Sequence, residues 1–177
     1  SRNMSTFYVI KHDFKAGGAA KWGAKSQEVM ADQAGMAEFT KKCAEAGFFN
    51  HTFMMTSPEG PNYCIWESKE GKTPTDMQNF IDGPMGPDFG TNTLINTVMV
   101  LDTKGAASPY PTKFAADAKP LDAPAPTNTK FFLIEHTFKQ GKAEAWWGEM
   151  SKMMGDPALM KAFTDKCVAN GFFNHTF

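Results

Sequence analysis

Apolar and polar residues along the first hundred positions fall into short blocks whose period changes from block to block. FYVIKHDF (residues 7–14) is an aromatic and β-branched run closed by Lys15-Ala16-Gly17-Gly18, and it predicts a strand. From Ala19 to Ala46 the pattern turns helical, with a break expected near Asp32. Met36, Phe39, Thr40 and Cys43 then share one face, and Gly47 stands where a helix C′ residue belongs. FFNHTFMM (residues 48–55) and NYCIWES (residues 62–68) read as strands joined through Ser57-Pro58-Glu59-Gly60-Pro61, hence a hairpin. Thr73-Pro74 opens a short helix carrying Met77, Phe80 and Ile81 that stops at Gly83-Pro84. After a Gly/Pro-rich loop, TLINTVMVLD (residues 93–102) is the last predicted strand.

The same pattern then starts again. Shifting the chain by 124 residues aligns residues 7–53 with 131–177 without a gap, and 23 of the 47 positions are identical, ending in GFFNHTF both times. In the second copy Gly155-Asp156-Pro157 puts an N-cap Asp before a Pro at the first helical position, which supports the break at Asp32 in the first. Between the copies lies an Ala- and Pro-rich stretch without apolar periodicity, expected to be a semi-extended linker. The expected organisation is a complete module over 5–103, a linker over 104–129, and a β-α-β half-module over 130–177.

The order β-α-β-β-α-β is a ferredoxin-like, split βαβ plan, and the predicted fold class is α+β. In this order of elements and module length the chain resembles the dimeric α/β-barrel superfamily. The run Asn62-Tyr63-Cys64-Ile65-Trp66-Glu67 is also similar to the third strand of small ferredoxin-like proteins described as nickel-responsive. The resemblance implies a sheet order of 4-1-3-2 and a barrel made by two facing sheets, within one duplicated chain or by association. A half-module without strand three would leave strand edges unpaired. It is therefore expected to be completed by further chain or by strands exchanged with another molecule.

Composition narrows the classes of function. Eighteen basic and 19 acidic residues give a net charge of -1, with no basic stripe for nucleic acid and no basic cluster for an anionic membrane. There is no apolar run long enough to span a bilayer and no leader pattern, and Ser1-Arg2-Asn3 before Met4 reads as a cloning remnant. Three scattered cysteines fit neither a disulfide framework nor a zinc motif, so a reducing, cytoplasmic compartment is expected. Cys43 and Cys167, equivalent in the repeat, are expected to be small buried hydrophobes.

All four histidines belong to the repeat, His12 and His136 in strand one, His51 and His175 in strand two. Alternation puts His12 with Tyr8, Ile10 and Phe14, and His51 with Phe49 and Phe53. A five-residue turn would pair Thr56 with Asn62 and set His51 opposite Glu67, where a carboxylate could fix the imidazole's tautomer or share a metal with it. These histidines are either structural residues satisfied by hydrogen bonds or ligand and catalytic groups. His12, His51 and Glu67 are the catalytic candidates. Tyr8, Trp22, Trp66, His136, Trp146 and His175 are the candidate pocket lining, and His12 with His51 is the candidate metal pair, with Cys64 or Glu67 as further ligands. Asn50 and Asn174 are expected on the opposite face as strand-end caps, and the Gly83–Pro87 loop as a rigid turn or a lid. The resemblance implies a small, apolar or aromatic ligand between sheet and helices, with haem or a divalent metal as conceivable cofactors that no motif requires. Binding of nickel or zinc, and a non-catalytic structural or assembly module, are the alternatives.

Overall fold

The computed structural model describes residues 5–101, 113–114 and 132–174. It divides into two compact units, Ser1–Pro124 and Ala125–Phe177. The fold class is α+β. The first unit runs β1 (Thr6–Phe14), α1 (Gly18–Ala31), α2 (Gln33–Glu45), β2 (Phe48–Met55), β3 (Asn62–Ser68), α3 (Pro74–Asp82) and β4 (Leu94–Val100). Its sheet has the order β2-β3-β1-β4, with every pairing antiparallel, so β3 fills the gap between β1 and β2 as expected.

Local chemistry accounts for the boundaries. Asp32 ends α1 and caps α2 by accepting the Gly35 N–H at 2.9 Å. Gly47, at φ 91°, makes the left-handed turn from α2 into β2 that a side chain would resist. Thr73 and Asp76 form a reciprocal capping box on α3, with Pro74 at its first position.

All three helices contribute side chains to one face of the sheet. Tyr8 and Ile10 from β1, Phe48 from β2, and Cys64 and Trp66 from β3 pack with Cys43 of α2 and with Met77 and Ile81 of α3. Trp22 of α1 stacks on Phe53 at a centroid distance of 5.7 Å and meets Phe14 at 5.6 Å. Burying side chains of this size contributes about 1.5–3 kcal/mol each, so this layer holds the module together.

The hairpin register differs from expectation. Met55, not Thr56, pairs with Asn62, and a bulge between Asn50 and Thr52 shifts the register once more. The extra residue is His51. As a result Phe49 and His51 point to the same side, while Phe53 goes with Phe48 to the helix-covered face, so the expected His51/Phe53 face-sharing is corrected.

The second unit contains α4 (Ala143–Gly155) and α5 (Pro157–Ala169), broken at Asp156, whose side chain caps α5 through Ala158 and Leu159. The expected strand over 131–138 is not formed among its described residues, 132–138, and residues 172–174 are likewise irregular. Phe132 is 72% exposed and Ile134 67%, whereas their counterparts Tyr8 and Ile10 are at 0%. Tyr8 and Ile10 lie between β3 and β4, whereas among the described residues no strand flanks residues 132–138. The expected burial of Cys167 is not met either, and α5 has no buried residue. It is half-buried, whereas Cys43 is 2% exposed beneath the sheet. The expected linker lies almost wholly outside the described residues.

Candidate functional site

Two polar clusters are built into the sheet of the first unit, one on each face. On the helix-covered face, β-sheet pairing sets His12 between Asn62 of β3 and Asn96 of β4. His12 has no exposed surface. Its Nδ1–H donates to Asn96 Oδ1 at 2.6 Å, and the Cys64 thiol donates to its Nε2 at 3.1 Å. Asn96 is itself oriented, because its Nδ2 donates to Asp82 Oδ1 at 2.8 Å, and Gln78 donates to the other oxygen of Asp82 at 2.8 Å. The chain Cys64–His12–Asn96–Asp82 thus fixes one tautomer of the imidazole.

Burial lowers the His12 pKa below 6.5, outweighing the opposing influence of Asn96, Asp13 and Asp82, and the ring is neutral at pH 7. Burial likewise pushes the Cys64 thiol up to about 12, against the smaller effects of Asn50 and Trp66. The Cys-His-Asn connectivity therefore does not make a nucleophile, since a thiol held protonated and sealed from solvent cannot attack. The cluster can instead present neutral donors and acceptors at fixed positions.

Asn62 supplies the unusual feature. It has no exposed surface, and neither its Nδ2 nor its Oδ1 has a hydrogen-bond partner. Trp66, four residues further along the same face, has a buried indole N–H near Cys64. An amide left bare in an apolar layer costs about 1–3 kcal/mol.

Aromatic side chains surround this end of the layer. Trp22 is sandwiched by Phe53 and Phe89, and its Nε1–H donates to Pro87 O at 2.8 Å. That carbonyl belongs to the Gly/Pro loop before β4, which carries two residues in the left-handed region, Phe89 (φ 51°) and Asn92 (φ 54°). Asp88 holds the loop, accepting from the backbone N–H groups of Asn92, Thr93 and Leu94 and from the Thr91 hydroxyl. Burial opposes ionisation of Asp88, but these hydrogen bonds together outweigh it and lower its pKa.

The second cluster is on the other face. His51 Nε2–H donates to Glu67 Oε2 at 2.8 Å, and both side chains are almost fully buried, at 1% and 0% exposed. The backbone N–H of Lys113 donates to the same oxygen at 2.7 Å. The expected His51–Glu67 contact is present, although the register from which it was expected is not. The bulge supplies what the shifted register would have removed.

Of the other expected site residues, Tyr8, Trp22 and Trp66 are buried on the His12 face, and Tyr8 OH meets Ser68 Oγ at 3.3 Å. Asn50 is on that face too, near Cys64. His136 and Trp146 belong to the second unit, where they line an open cleft of about 440 Å³ with Phe138 and Trp147. His175 lies outside the described residues. His12 and His51 are on opposite faces of one sheet, so the expected metal pair is not brought together, and Cys64 is separated from Glu67 in the same way. Among the described residues no three His, Cys, Asp or Glu side chains gather to hold a metal ion. No helix among them is long and apolar enough to cross a membrane.

Asn62, Asn96 and Asp82 were missed as site residues. Asn62 is legible as a polar residue sharing a face with Cys64 and Trp66. Its place beside His12 depends on a strand pairing between residues 50 apart in sequence.

The fold and site define an α+β protein whose antiparallel sheet buries a neutral histidine cluster against its helices. A family model described as Domain of unknown function (DUF8652) matches residues 7–108 and 131–177, and the chain belongs to that family. The two matched segments begin at the two copies of the repeat. No curated protein and no solved structure matches the chain.

Proposed function

We propose that the first unit is a ferredoxin-like module of the α/β-barrel kind that binds a small molecule on the helix-covered face of its sheet. The ligand has a flat apolar body and an adjacent donor and acceptor. The observation that carries this reading is the Asn62 amide, buried, unpartnered, and next to a His12 ring locked in one tautomer. An amide presents a donor and an acceptor side by side, and a carboxamide, lactam or heteroaromatic ring edge complements both. Trp22, Phe14, Phe53 and Phe89 provide aromatic walls, with the Gly/Pro loop as the lid. Because His12 and Asn62 have no exposed surface, entry requires that loop or α1 to move. His12, being neutral and hydrogen-bonded through both nitrogens, serves to position and polarise.

Thermal-shift screening of planar lactams, carboxamides, heteroaromatic rings and haem tests the proposal. A hit should raise the melting temperature of the wild type and lose its effect in Asn62→Val. No shift with any member, at millimolar concentration for the soluble ones, would sink the reading.

A second reading, self-association through the other face of the sheet, is supported by Ile95 and Met99, which share that face and are 53% and 42% exposed. Light scattering distinguishes it. If a second copy packs there, Ile95→Glu should shift an oligomer to monomer, and a wild type that is already monomeric would refute it.

A further inference from the structure

We propose that the His51–Glu67 pair is the floor of a docking site for a bent peptide segment carrying a basic residue followed by an aromatic one, occupied in this chain by its own Lys113-Phe114. The inference is independent of the ligand site on the opposite face. Three observations on different atoms converge on it. Glu67 Oε2 accepts the backbone N–H of Lys113 at 2.7 Å, a contact between residues 46 apart in sequence. The Lys113 ammonium sits 5.0 Å from the centroid of the Phe49 ring, within cation–π range. Phe114, the next residue, lines a cleft of about 340 Å³ with Ser5, Lys69, Glu70 and Gly71.

Each contact reads a different property of the bound segment. A carboxylate that accepts a main-chain N–H recognises the backbone and is indifferent to sequence. The Phe49 face selects a cation, and the aromatic residue after it forms one wall of the cleft beside β3. His51 positions the carboxylate. Its Nε2–H holds Glu67 Oε2 at 2.8 Å, and its ring is packed between Phe7 (5.4 Å) and Phe49 (4.9 Å). The bulge that places His51 on this face is thus what builds the site. A strap of this kind is displaceable, because its described residues, 113–114, contribute no strand to the sheet and its lysine remains exposed. A partner bearing the same Lys/Arg-aromatic pair would compete for the same floor.

The test uses the full chain. In the wild type, hydrogen exchange at the Lys113 amide should be protected relative to a free peptide of the same sequence. A strap-release variant, Lys113→Ala with Phe114→Ala, leaves the sheet untouched. It should bind a labelled peptide SPYPTKFAA, residues 108–116, at least ten-fold more tightly than the wild type, where a tethered competitor at roughly millimolar effective concentration blocks the site. Glu67→Gln added to the release variant should abolish that binding, as should replacing the peptide's lysine by glutamate. An unprotected Lys113 amide in the wild type overturns the proposal without any variant having to fold. So does peptide binding that is equal in the wild type and the release variant, or unaffected by the lysine-to-glutamate change.

Discussion

Replacing Asn62 by valine separates a residue kept for stability from one kept for binding. Asn62 is 0% exposed and both its amide atoms lack partners, so folding removes a donor and an acceptor from water and returns nothing. The cost of that is about 1–3 kcal/mol. Valine is close in volume, carries no polar atom and favours an extended backbone, so it relieves the penalty without overfilling the layer. In the ligand-free protein Asn62→Val should therefore raise the unfolding free energy by about 1–3 kcal/mol. For a module near a hundred residues this corresponds to roughly 4–8 °C in Tm per kcal/mol. Urea denaturation followed by tryptophan fluorescence gives the midpoint, and an unchanged slope shows that the two native states expose similar surface on unfolding. The variant should at the same time lose ligand response, a gain of stability against a loss of function. If Asn62→Val destabilises the free protein by more than about 1 kcal/mol, the amide is satisfied within the fold and the argument for a ligand there fails.

Two further outcomes follow from the same layer. His12 has a folded pKa below its ordinary 6.5, so the unfolded chain binds the extra proton first. The stability this contributes is complete above about pH 7.5 and is lost as pH falls through 6.5 toward the folded pKa, by at most about 1.4 kcal/mol per pH unit. His12→Gln should flatten that window of the stability curve, and an unchanged slope between pH 5 and 7 would contradict the assignment. The Cys43 and Cys64 thiols, pushed up by burial to about 11 and about 12, should resist a thiol reagent at pH 8 until denaturant is added, while half-buried Cys167 reacts in the native protein. Rapid native labelling of all three would show that the layer over Cys64 is open.

Much of the fold was legible because its signals are local. Asp32 and Asp156 announce helix starts by the side-chain oxygen they offer, Thr73-Pro74 opens α3, and Gly47 marks a left-handed turn. The site was legible only in part. His12 on the face of Tyr8 and Ile10 follows from period-two alternation along one strand. The His51–Glu67 contact was reached from a register that the protein does not adopt, and a single extra residue in β2 restored it while sending Phe53 to the other face. No local signal marks that bulge, because it is set by how the whole of β2 packs against β3.

The duplication draws the same boundary more sharply. By itself the sequence determined which segments can be helix, where those helices stop and start, and which residues of each would face a core. In the second unit α4 and α5 form and break at Asp156 just as their counterparts break at Asp32, because helical hydrogen bonds and caps close within a few residues. Only the tertiary structure decided which strand-like segments became strands. Residues 7–14 are a central strand with partners on both edges, whereas residues 132–138, from the matching run, stay irregular and exposed. A strand's hydrogen bonds and its buried face are supplied by other strands and helices distant in sequence. The same dependence on distant partners set His12 against Asn62, and His51 on the face that Lys113 reaches.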